Sequence, residues 1–77
     1  MITVKLLAVL KEFAPNDDGR VELPYEQGMT VADALNATDI KSAKVKYSLM
    51  VNNMRKKPED TLEDGDTVIV MPLLAGG

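Results

Sequence analysis

The run TVIVMP at residues 67–72 is the strongest single constraint on how this chain can fold. β-Branched side chains crowd a helix and suit a pleated strand, and apolar residues at consecutive positions are typical of a strand buried inside a sheet. A comparable run opens the chain. In ITVKLLAVL one face carries Ile2, Val4, Leu6, Ala8 and Leu10, while Leu7 and Val9 add apolar character to the other, as expected near the middle of a sheet. The last strand can then lie beside the first, which sends residues 73–77 out from the centre of the sheet rather than from a loose edge.

The intervening sequence supplies the remaining elements. KEFAPNDDG clusters turn formers from Pro15 to Gly19, and RVELP follows as a short strand with Val21 and Leu23 inward, so the first two strands form a hairpin with a long loop. In MTVADALNATD, Thr30 and Asp33 have the spacing of a carboxylate variant of the capping box. Val31, Ala34, Leu35 and Thr38 then recur at helical spacing and predict one short amphipathic helix. KYSLMVNN alternates Tyr47, Leu49 and Val51 against Ser48 and Met50, and ends on an Asn-Asn pair suited to a tight turn with positive φ. A brief strand at MRKK and a polar loop, PEDTLEDGD, lead into the last strand. The order strand, strand, helix, strand, short strand, strand defines an α+β two-layer domain with a mixed sheet of four to five strands packed on one helix.

At 77 residues there is room for one core only. The expected division is a folded domain over 1–72 and a flexible C-terminal tail over 73–77. With 45% hydrophobic and 27% charged residues, the chain has the composition of an autonomously folding globular domain.

The chain has no cysteine and no histidine. Disulfides, thiolate metal sites and the commonest zinc ligands are therefore missing, and so is the one side chain that titrates near neutrality unaided. Catalysis would rest on carboxylates, lysines or tyrosines with strongly shifted pKa values, for which so small a domain has little interior. The composition thus weighs against an enzyme acting alone. A net charge of −3 and a pI near 4.7 argue against nucleic acid as a partner. The N-terminal MITVKLLAVLKEF has one lysine before its apolar stretch, no small-residue cleavage site and too short an apolar run to span a bilayer. No membrane partner and a cytoplasmic location are expected.

Three groups of residues invite a chemical reading. LEDGD looks like the start of a calcium loop, yet counting from Asp60 puts Leu62 at the third position and Met71 where a bidentate glutamate belongs. It is better read as a turn whose aspartates bond nearby backbone N–H groups while Gly65 takes positive φ. NDDG fails the same test at Tyr25. Lys41, Lys44, Lys46, Arg55, Lys56 and Lys57 form the one cationic concentration, a solvated face or a docking site for an acidic partner. Met50, Met54 and Met71 fill core gaps or present an adaptable contact surface.

The C-terminus, MPLLAGG, carries the clearest functional signal. Two terminal glycines arise by chance in roughly 1 chain in 200 at about 7% glycine usage. Here they follow a strand, a proline that halts further pairing, and two leucines. A terminal glycine offers a carboxylate with no side chain beside it, so a narrow channel of another protein can admit the backbone and a nucleophile can reach the carbonyl. A free carboxylate is a poor electrophile and needs activation, for instance as an acyl adenylate formed from ATP, before sulfur or an amine attacks it. Extended, residues 73–77 reach about 17 Å.

Taken in order, ITVKLLAVLKEFA, Val51-Asn52, LEDGD-TVIV-MP and terminal Gly76-Gly77 resemble the MoaD/ThiS sulfur-carrier family over nearly the whole chain. The resemblance implies the ubiquitin-like β-grasp fold. It also implies that Gly77 is adenylated and thiocarboxylated, with Gly76 as its side-chain-free neighbour, and that the sulfur is then given up inside a second enzyme. The chain would bind no cofactor itself and would be a carrier and co-substrate. Its partners would be a ubiquitin-activating-type adenylyltransferase that uses ATP, a sulfurtransferase and a downstream synthase subunit. By position, Leu7 and Met71 would contact the partners, and Leu73, Leu74 and Ala75 would thread the channel. LKEFA and Pro72 are similar to the small subunit of molybdopterin synthase, and AGG is more like the thiamine-pathway carrier; the balance leans to molybdopterin. Asn53 stands where the family often has glycine, and asparagine also tolerates positive φ. Two other readings remain: a ubiquitin-like modifier conjugated through Gly77, and an interaction domain with an incidental Gly-Gly.

Overall fold

The computed structural model describes residues 1–15, 18–44 and 46–73. Five strands, β1 (Ile2–Leu6), β2 (Arg20–Leu23), β3 (Tyr47–Val51), β4 (Met54–Lys56) and β5 (Thr67–Pro72), form one mixed sheet in the order β2-β1-β5-β3-β4. β5 is central, parallel to β1 and antiparallel to β3. β1 and β2 form the expected antiparallel hairpin, and so do β3 and β4.

The alternation written into the strands decides which face is covered. Ile2, Val4 and Leu6 of β1, Leu49 and Val51 of β3, and Val68 and Val70 of β5 all point to one face and are buried. The helix α1 (Val31–Leu35) contributes Val31, Ala34 and Leu35 to the same core. Its start is the expected capping box: Asp33 N–H donates to Thr30 Oγ1 at 3.2 Å, and Thr30 N–H donates to Asp33 Oδ2 at 2.9 Å. Thr38 lies beyond the helix, where its hydroxyl donates to Leu35 O at 2.8 Å.

Two expectations change. The nine-residue opening strand ends at Leu6, and Ala8–Phe13 forms a 3-10 helix. Leu6, Leu10 and Phe13 also have helical spacing, and turning the chain at Ala8 (φ 54°) lets Leu10 be fully buried. A second 3-10 helix, Ile40–Ser42, buries Ile40. The loop 57–66 is also less polar than its composition suggests. Leu62 is buried, and its N–H bonds Met29 O at 2.8 Å, while Val31 N–H bonds Asp60 O at 2.9 Å. This loop therefore braces the start of α1.

LEDGD is a turn, as expected. Gly65 has φ +94°, and Asp66 Oδ2 accepts from Glu63 N–H at 2.8 Å. The Asn-Asn turn likewise has φ 53° at Asn52 and 66° at Asn53, which supplies the twist a tight hairpin needs.

Candidate functional site

The opposite face of the sheet has no helix over it. β1 presents Thr3 and Lys5 there, β5 presents Thr67, Ile69 and Met71, and β3 presents Ser48 and Met50, all half-buried, while β4 adds exposed Arg55. A half-solvated antiparallel sheet ordinarily places polar residues on such a face. Here Ile69, Met71 and Met50 form an apolar strip outside the core. TVIVMP is thus buried on one face only, and at the other face its apolar side chains are half-buried.

Leu7 joins this strip. It remains extended (φ −103°, ψ 156°), its N–H donates to Val70 O at 3.0 Å, and continuing the Lys5–Ile69 pairing by two residues sets it beside Met71. The structure therefore brings together Leu7 and Met71, the two residues assigned to partner contact. Ile69 and Lys5, which the sequence reading did not single out, lie on the same face, as does Met50, for which a contact surface was one of two readings. The available signal was the odd-numbered positions of 67–71, apolar at two of three on the face opposite Val68 and Val70.

The tail starts beside this strip. Pro72 lies opposite Tyr47 as the last residue of β5, yet it does not halt the pairing, because Leu73 N–H still donates to Lys46 O at 2.8 Å. Alternate residues of a strand address opposite neighbours, so the N–H that proline lacks would have pointed to the β1 side, where β1 has already ended. Leu73 is exposed at 43%. An open depression at this point is bordered by Tyr47, Arg55, Lys57, Pro58 and Leu73. Leu74, Ala75, Gly76 and Gly77 lie outside the described residues.

Arg55 and Lys56 point to opposite faces of the sheet. Arg55 faces the uncovered side, whereas Lys56 is half-buried at the sheet edge and pairs across from core residue Leu49. β4 is a short edge strand carrying Arg55 and Lys56, and charge at an edge ordinarily discourages pairing with other chains. Met54 is 62% exposed and fills no core gap, and Met50 belongs to the uncovered face. No described helix is long and apolar enough to cross a membrane.

A five-stranded mixed sheet packed on one short helix, with the central strand running into the C-terminal segment, defines a ubiquitin-like β-grasp domain. The chain belongs to the ThiS family, whose model matches residues 4–77. This is a family of small sulfur-carrier proteins that work with activating and synthase partners. The fold is similar to SAMP1 from Haloferax volcanii, with a TM-score of 0.78 and 21% identity over 99% of this chain and 98% of that one. It is also similar to a protein from Pyrococcus furiosus described as a molybdopterin converting factor, subunit 1, with a TM-score of 0.66 and 25% identity over 92% of this chain and 94% of that one. No curated protein matches by sequence.

Proposed function

We propose that this chain carries sulfur on its C-terminal carboxyl group. Residues 1–72 form the docking body and 73–77 the delivered tail. A ubiquitin-activating-type adenylyltransferase joins the Gly77 carboxylate to the AMP moiety of ATP and releases pyrophosphate. Sulfide-level sulfur from a sulfurtransferase then displaces AMP and leaves a thiocarboxylate. A downstream synthase subunit takes the sulfur while Gly76 keeps the approach to the carbonyl clear. In this scheme the chain is a co-substrate in the cytoplasm, not a catalyst, and ATP is bound by the partner.

The observation that carries this reading is the placement of β5, hydrogen-bonded on both sides at the centre of the sheet and leading directly into the Gly-Gly segment. A partner gripping the sheet thereby fixes where the tail begins. Synthesis of molybdopterin is the favoured destination, supported by LKEFA, Pro72 and the likeness to the Pyrococcus protein; thiamine synthesis is the alternative.

The test is intact mass after incubation with ATP, a sulfur source and host lysate, beside a variant lacking Gly76 and Gly77. Replacement of one oxygen by sulfur in the terminal peptide, absent from the truncated variant, is the expected result. An unchanged mass in an active lysate overturns the reading, and a ladder of covalent conjugates in its place favours a protein modifier.

A further inference from the structure

The ladder between β3 and β5 runs on past the end of the sheet. Leu73 N–H donates to Lys46 O at 2.8 Å, in the register already set by the Ser48–Met71 and Tyr47–Pro72 pairs. Before Lys46, the chain leaves the 3-10 helix Ile40–Ser42 through Ala43, which is extended (φ −69°, ψ 134°). Continuing the same register sets Ala75 opposite Lys44, and the alternation of hydrogen-bonded pairs gives the next bond to Ala75 N–H and Lys44 O. Among the described residues, no backbone N–H is bonded to that carbonyl.

On its other side β5 is flanked by β1, which turns at Ala8 into the 3-10 helix Ala8–Phe13. An open, mainly apolar groove separates this helix from the segment that precedes β3. Val9, Glu12 and Phe13 form one wall, and Ser42 and Lys44 the other. Asp39 N–H donates to Phe13 O at 2.8 Å, so the fold itself holds the walls together. Because the walls continue from the two strands that flank β5, a chain that prolongs β5 enters between them. Strand alternation points residue 74 to the side of Val68, Val70 and Pro72, the side to which the 3-10 helix turns to bury Leu10. Val9, 61% exposed, lies in the wall on that side.

We infer that this groove is the resting seat of the chain's own Leu74 and Ala75, with Leu74 against Val9 and Phe13 and Ala75 N–H bonded to Lys44 O. A tethered segment meets its site at a high effective concentration, so even a weak seat is filled in the free protein. The seat sets two lengths of tail. Released, the four residues beyond Leu73 reach about 13 Å; seated through Ala75, the two glycines alone reach about 7 Å. For sulfur transfer the consequence rests on the carrier reading: a partner gains the full reach of Gly77 only by drawing Leu74 out of the groove, and its apparent affinity falls with the fraction of chains seated.

The experiment is amide hydrogen exchange of the full chain, followed by NMR without ATP or any partner. Ala75 N–H is expected to exchange at least about tenfold more slowly than in the free peptide LLAGG, and Leu74 N–H, which faces away from Lys44, at about the peptide rate. V9D and L74D should each return Ala75 to within about twofold of the peptide, whereas M54D, an exposed substitution in the β3–β4 hairpin, leaves it slow. L74D alters only the tail, so it tests the seat even where V9D weakens the fold. An Ala75 amide that exchanges at the peptide rate in wild type overturns the seat. Protection lost on about tenfold dilution gives the groove to the tail of a second copy and overturns it too. The carrier reading stands or falls separately, on the mass gain at Gly77, since the exchange experiment contains no ATP, sulfur source or enzyme.

Discussion

The side-chain amide of Asn52 donates to Asp66 Oδ1 across 3.1 Å, joining the β3–β4 turn to the loop that feeds β5. Asp66 has further bonds: its Oδ2 accepts from Glu63 N–H at 2.8 Å and its backbone O from Thr3 N–H at 3.1 Å. One residue thus ties together the starts of β1 and β5 and the far end of β3. Asp66→Ala removes two side-chain bonds and is expected to cost about 1–2 kcal/mol, and Asn52→Ala, which loses one bond and places alanine at φ 53°, about 1.5–2.5. Urea unfolding of both singles and the double should show costs that fail to add, since the pair shares a bond. Strict additivity contradicts the linkage.

The capping box makes Thr30 a second point of leverage on a helix too short to be stable alone. Thr30→Ala is expected to lower stability by about 1 kcal/mol, and Thr30→Ser by a few tenths. A Thr30→Ala variant with an unchanged urea midpoint would show that packing of Val31, Ala34 and Leu35 holds the helix without its cap.

Gly19 and Gly65 both have positive φ, +72° and +94°, but their surroundings differ. A Cβ on Gly19 would come within 2.6 Å of Leu6 O, the carbonyl of a core strand, whereas nothing lies within 4 Å of one on Gly65. Gly65→Ala is expected to cost about 1 kcal/mol from backbone strain, and Gly19→Ala distinctly more, about 3. Equal thermal shifts for the two variants would refute the close approach.

The two faces of the sheet should separate folding from docking. Leu6→Ala and Val70→Ala empty fully packed positions and are expected to cost about 2–4 kcal/mol. Leu7→Ala and Met71→Ala, on the half-exposed strip, should cost about 1 kcal/mol or less and lower affinity for the adenylating partner instead. Calorimetric melting read beside partner titration checks the contrast, and large losses of stability at Leu7 or Met71 would place them in the core.

Where local chemistry decides structure, the sequence was legible. The Thr30–Asp33 spacing, the Asn52-Asn53 turn and the alternation in KYSLMVNN all have short-range signatures, and each is present in the fold. The break after Leu6 was not legible, because LLAVL satisfies strand and helical spacing alike and the decision falls to tertiary burial of Leu10. Leu62 looked like part of a polar loop for a similar reason: its burial depends on where Met29 lies. For the site, Leu7 and Met71 were named from the family resemblance, but the row Lys5–Ile69–Met50–Arg55 joins residues from four strands and exists only once the register is set.

The central position of β5 also bears on how the chain reaches its folded state. The hairpins β1–β2 and β3–β4 are local structures, but the sheet contains no pairing between them except through β5. The contact between Thr3 and Thr67 closes a loop of roughly 60 residues, a separation that slows folding relative to helical domains of similar size. Two hairpins without the strand between them leave Val4, Leu6, Leu49 and Val51 without Val68 and Val70, which fill the middle of their core. Chains interrupted before residue 67 should therefore remain unfolded and open to proteolysis, so a partner that selects for an intact sheet also selects for chains long enough to have made the strand that leads to the terminal glycines.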